Sequence, residues 1–191
     1  MPASQITKRA LEESLKRLLL EKPLPKITIA DLTEDCGISR MTFYYHFRDI
    51  YDLVEWSCEE DAAAALAGNK TAETWQVGLV RLMEAVRDNR PLIMNVYRSV
   101  SRERVERFLV PAVHDLVRGV VEEHASGCRV REGDKDFLSD FLAHALVGTI
   151  LDWIADGMRE EPGELASRVA CACDGQVAAA LGRFEARAGR Y

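Results

Sequence analysis

Between Ser39 and Phe47 the chain places Arg40, Met41, Thr42, Tyr44, Tyr45 and His46 on a helix of about two turns. Phe43 and Phe47 fall on the opposite side and read as core. Burying Tyr44, Tyr45 and His46 as well would strand too many polar tips away from water. Left outside, each residue has a use against duplex DNA. Arg40 can bind guanine O6 and N7 together, and Met41 or a tyrosine ring such as that of Tyr45 can contact a thymine methyl. The hydroxyls of Thr42 and Tyr44 and the imidazole of His46 can hold phosphates. Ser39 is the natural N-cap of this helix. Upstream, Thr28 opens another helix with Asp31 three residues on, a capping pair, and the N–H groups at that helix start offer a further phosphate site.

These side chains need a support of fixed shape. Ile6, Ala10, Leu11, Leu15, Leu18 and Leu19 form one apolar stripe on a first helix, which Lys22-Pro23-Leu24-Pro25 ends. A second helix runs from Thr28 to the break at Cys36-Gly37-Ile38, and a third from Ser39 to about Tyr45. Gly37 suits the turn because it tolerates positive φ. Ile29, Leu32, Cys36, Ile38, Phe43 and Phe47 would lock the pair onto the first helix. Two short helices joined this way form a helix-turn-helix, about 28–47, whose second member can lie in the major groove. Asp49 caps a fourth helix that runs to about Ala67.

Charge agrees with that placement. The 191 residues carry a net charge of −6, but residues 1–50 hold 8 Lys+Arg against 7 Asp+Glu, whereas residues 51–191 hold 17 against 24. Phosphate would repel the acidic body, so the front end is the face for DNA. Cysteines at 36, 58, 128, 171 and 173 are odd in number and form no framework. With no signal peptide at the start, they read as reduced thiols in a cytoplasm. The most apolar stretch, Phe137 to Ile154, is interrupted by Asp140, His144 and Asp152, which speaks against a membrane span. No Ser/His/Asp order, Gly-rich phosphate loop or His/Cys metal spacing appears, so catalysis, a metal and a cofactor are not expected. Cys171-x-Cys173 alone makes no zinc site.

The body is helical throughout, with helices expected near 72–88, 91–99, 102–125, 134–157 and 163–187 and a kink at Pro111. On the last of them Ala166, Cys173 and Ala180 recur every seven residues, as do Ala170, Val177 and Phe184, a seam for close helix approach. With the apolar helix before it, this seam could form a four-helix dimer interface or an intramolecular core; both remain open. Trp56, Trp75, Met83, Met94, Tyr97, His114, His144, Asp152 and Trp153 are candidates to line a small-molecule cavity. His144 lies four residues after Asp140, so the two could pair on one face. Arg98, Arg102, Arg104 and Arg107, alternating with Glu103 and Glu106, read as a solvated face.

The run from Ile27 to Phe47, with Gly37-Ile38-Ser39, Thr42-Phe43-Tyr44 and His46-Phe47 in order, resembles the signature of the TetR family of regulators. The resemblance covers about residues 5–60. It implies that Thr28, Thr42, Tyr44 and His46 contact phosphates and that Arg40, Met41 and Tyr45 lie nearest the bases. The chain departs from the family at Thr33, usually Ala, and at Ile50, where a phosphate-contacting Lys is usual; Arg48 is a candidate to replace that contact. Tyr51-Asp52-Leu53-Val54-Glu55-Trp56, Trp75-Gln76 and Asp88-Asn89-Arg90 ahead of Tyr97 also resemble regulators of dihydroxyacetone kinase operons. Some of these are activators under the control of a kinase-like protein.

The expected architecture is therefore all-α and TetR-like. A DNA-binding domain spans 1–50, a connecting helix 51–67, and a helical regulatory and dimerisation domain 68–191. The leading functional reading is a cytoplasmic homodimer that binds a palindromic operator on double-stranded DNA and is released by a small-molecule effector, as a repressor. The alternative is an activator or adaptor controlled by a protein partner.

Overall fold

The computed structural model describes residues 3–188, so the outermost residues of both expected domains lie outside the described range. Every regular element there is helical. The chain forms two compact units. Among the described residues, unit 1 takes 3–61 together with 89–105, and unit 2 takes 62–88 and 106–188. This grouping cuts across the boundary expected from sequence, because residues 89–105 pack with the N-terminal helices.

In unit 1, α1 (Ala3–Glu21) is followed by a 3-10 turn (Leu24–Lys26), α2 (Ile29–Cys36), α3 (Arg40–His46), the start of α4 (Ile50–Leu66) and α6 (Arg90–Ser99), with α5 (Trp75–Asp88) intervening in sequence. Leu11, Leu15 and Leu19 are buried as the stripe on α1 required, and Leu24, Ile27, Leu32, Phe43, Phe47, Leu53, Val54 and Val96 complete the core. Ile6, expected on the stripe, is exposed. Thr28 and Asp31 form the complete capping box at the start of α2, and Gly37 turns the chain at φ 66°. Thr33 is buried and donates to the carbonyls of Ile29 and Ala30, so its hydroxyl is satisfied within its own helix.

One charged group is buried in this unit. The Glu12 carboxylate meets Arg9 at 2.7 Å, Lys16 at 2.8 Å and the Ser57 hydroxyl at 3.0 Å. Burial opposes its ionisation, but these partners outweigh that and hold its pKa below the usual glutamate value. Lys16 also reaches Asp61, and Arg9 reaches Glu60. The α1–α4 contact is thus fixed by direction as well as by packing.

Unit 2 contains α5, most of α7 (Arg102–His124), α8 (Glu132–Ala155), α9 (Pro162–Cys173) and α10 (Gln176–Ala188). Its core is mainly aliphatic, including Leu79, Leu116, Val121, Leu151 and Leu181, with Met83 and Trp153 among them. Pro111 lies within α7, which continues through it. Gly119 packs against the 67–74 loop so closely that an added Cβ would stand 2.3 Å from the Lys70 carbonyl oxygen. By length and composition α8 could cross a membrane, but half of its most apolar window is buried within the protein. A core helix has that composition for the same reason.

The single long helix expected over 163–187 is two helices. Asp174 and Gly175 interrupt it, with Gly175 at φ 65°. The proposed heptad seam is therefore not one continuous stripe. Ala166 and Val177 are buried, while Ala170, Cys173, Ala180 and Phe184 are only half-buried. A seven-residue spacing carries no register across a left-handed break.

Candidate nucleic-acid interface and body groove

The residues of α3 divide as their chemistry requires. Phe43 is fully buried, and Phe47, just past the helix, packs on Trp56 with ring centroids 5.7 Å apart. Lys8 lies over both the Phe47 and Trp56 rings, and Arg9 over Trp56. Trp56 therefore supports the helix pair and is not among the residues that line the groove of unit 2. On the other side Met41 is 84% exposed and Tyr45 82%, with Tyr44 and Arg40 also exposed and Thr42 and His46 half-buried.

The Ser39 hydroxyl accepts from the Thr42 N–H at 3.1 Å and shares a 2.9 Å hydrogen bond with the Thr42 hydroxyl. The Tyr44 ring stands edge-on to Phe43, and Tyr45 edge-on to His46. These contacts hold the aromatic stems and leave the Tyr44 and Tyr45 rings exposed. Thr28 is exposed, but its hydroxyl is engaged with Asp31. Lys22 lies 2.8 Å from Asp31 and, with Thr28, holds its pKa down to about 2. The carboxylate beside the start of α2 is thus matched by a cation. Arg48 projects into solvent but bonds Asp52, so a phosphate would compete with that carboxylate for it.

The residues considered for a cavity are divided between the two units, and most of them do not line the groove of unit 2. Met94 and Tyr97 are half-buried on α6 in unit 1, as is Trp56 on α4. Met83 is core. Trp153 is also core, and its indole N–H donates to the Glu160 carbonyl at 2.9 Å. His144 is exposed and bonds the backbone carbonyl of Asp140, whose carboxylate instead lies 3.7 Å from His114. Asp152 is exposed. Trp75 alone of the set lines the groove that unit 2 does possess, of about 650 Å³. That groove is walled by Leu116, Val120, Leu142, Leu146 and Val177, with Gln76, His124 and Thr149 among its polar groups. Sequence reasoning missed those three, because nothing in their spacing marks a shared wall. Among the described residues no cluster could hold a metal ion, and the five cysteines are unpaired.

Two family descriptions match this chain. Residues 13–55 match bacterial regulatory proteins of the tetR family, and residues 73–172 match a transcriptional regulator C-terminal region. The chain belongs to the TetR family. Members are DNA-binding transcription regulators rather than enzymes. The regulator is 24% identical over 159 residues to the HTH-type dhaKLM operon transcriptional activator DhaS of Lactococcus lactis subsp. lactis (strain IL1403), spanning 82% of this chain and 84% of that protein. A solved structure of the dihydroxyacetone kinase operon activator DhaS has the same fold, with TM-score 0.66 at 21% identity over 94% of this chain and 98% of that one. A TetR regulator from Rhodococcus sp. RHA1 gives TM-score 0.60 at 18% identity, over 90% and 95% of the two chains.

Proposed function

We propose that this regulator binds a palindromic operator as a homodimer, with α3 of each copy in the major groove. Arg40, Met41 and Tyr45 read bases, while Thr28, Ser39, Thr42, Tyr44 and His46 hold the backbone. The observation that carries this reading is the outer face of α3: long side chains stand in water there while Phe43 and Phe47 alone do the packing. A single seven-residue helix makes few contacts, and a two-fold partner doubles them. Phe137 and Phe141, stacked and each 62% exposed on α8, supply an apolar face for a second copy to cover. Arg40→Ala should weaken binding to the preferred duplex by about 1–3 kcal/mol while leaving the melting temperature nearly unchanged. Fluorescence anisotropy and thermal melts check both; unchanged affinity would remove α3 from the reading face.

In this reading the unit 2 groove takes a largely apolar effector, a few polar wall groups orient it, and the regulator acts in the cytoplasm as a ligand-released repressor. Leu146→Trp would fill the groove and abolish the response while operator binding survives. A second reading, an activator controlled by a protein partner, is favoured by the similarity to DhaS, named as an activator. Deleting the gene separates the two: target expression rises for a repressor and falls for an activator.

A further inference from the structure

Residues 89–105 are joined in sequence at both ends to unit 2, through α5 and α7, yet they pack within unit 1. One side chain there bridges three backbone groups. The Asn95 Oδ1 accepts from the Leu24 N–H at 2.9 Å, and its Nδ2 donates to the carbonyls of Leu19 at 2.7 Å and Lys22 at 3.0 Å. The Leu19 carbonyl belongs to the last turn of α1, where carbonyls lack helical partners. The Lys22 carbonyl and Leu24 amide flank Pro23, which has no N–H to offer. A carboxamide has both the two donors and the acceptor that this set needs; a carboxylate lacks the donors, an ammonium lacks the acceptor, and a hydroxyl has one donor for two carbonyls.

The same joint leads to the reading face. Lys22 pairs with Asp31, and Asp31 closes the capping box on Thr28 at the start of α2. Leu24 is itself buried in the core of unit 1. We infer that Asn95 is a positioning residue for DNA binding: through it α6 grips the α1–α2 joint and sets the register of α2 and α3. Moving α6 breaks three hydrogen bonds at once and frees that joint. The inference rests on the reading of unit 1 as the DNA-binding unit.

The test uses Asn95→Ala, Asn95→Asp and, as control, Ser99→Ala, whose hydroxyl bonds only the Asn95 carbonyl within α6. Each full-length protein is titrated with the tightest duplex selected from a random-sequence pool, at several salt concentrations and well below its melting temperature. Amide exchange at Leu24 is followed in parallel. Asn95→Ala should expose the Leu24 amide, whose acceptor it removes, and both Asn95 variants should lose about tenfold in affinity. They should also show a shallower dependence of log affinity on log salt, because backbone contacts fall out of register. A loss of folded protein alone would leave that slope unchanged. Wild-type affinity and slope in Asn95→Ala, or an equal loss in Ser99→Ala, would overturn the inference. If the Asn95 variants do not fold, the wild type decides: duplex should slow exchange at Leu24, and no change overturns the inference. Failure of the wild type to select any duplex would instead remove the DNA-binding reading, and unaltered Leu24 exchange in Asn95→Ala would still remove the grip.

Discussion

The two units hold their shape by different means. Unit 1 places directional bonds inside its contacts: Glu12 between Arg9, Lys16 and Ser57, and Asn95 across three backbone groups. Unit 2 keeps its main ion-pair network toward solvent, where Arg118 and Lys135 join Glu122, Glu132 and Asp136 across α7 and α8; its interior is mainly aliphatic, as in Leu116, Val121 and Leu151, with a groove among those surfaces. Apolar contact is non-directional and tolerates small sliding. Hydrogen bonds fix distance and angle. A unit that must present α3 at one pitch to a rigid duplex needs the second kind. Admitting a guest, as proposed for unit 2, can use the first.

That contrast predicts that the units answer differently to mutation. The largest stability loss is expected from Leu151→Ala in unit 2, about 2–5 kcal/mol, because a fully buried side chain leaves a cavity. Gly119→Ala comes next, at about 1–3 kcal/mol, since the Lys70 backbone must move to admit the methyl group. Both are shape changes, and calorimetry reads them. In unit 1 an isosteric change should suffice: Glu12→Gln should cost about 1–3 kcal/mol with no change of volume. Its pH signature is specific. The Glu12 pKa is lowered on folding, so its contribution is complete above the usual glutamate value and is lost as pH falls through the folded value. Acid melts of Glu12→Gln should therefore lose less stability below about pH 4.5 than the wild type. The smallest effect is expected from Thr149→Val on the groove wall, within about 0.5 kcal/mol, because that hydroxyl bonds only its own helix. A Thr149→Val loss as large as that of Glu12→Gln would erase the contrast.

Much of unit 1 was legible in advance because its signals are local. Thr28 with Asp31, Ser39 ahead of α3, and Gly37 at the turn each act over three or four residues, and each stands where its type requires. The outward placement of Tyr44 and Tyr45 followed from the cost of burying so many polar tips on one short helix. The break at Asp174-Gly175 was readable only in hindsight, since a glycine inside an apolar pattern is often tolerated. The cavity residues scattered because aromatic and methionine side chains serve a core as readily as a pocket. Asn95 gave one weak sign, a carboxamide in the middle of an otherwise apolar stretch of α6.

What the sequence determined by itself is the all-helical class of the chain and the buried side of α3, since helix periods, caps and turn residues are set by near neighbours along the chain. Tertiary structure alone decided that residues 89–105 join unit 1, that Glu12 finds Ser57, and that Asn95 finds the end of α1. Those partners lie 45 to 76 residues apart. No local rule selects among the many helix faces that could meet across such distances; only simultaneous packing of the whole unit does.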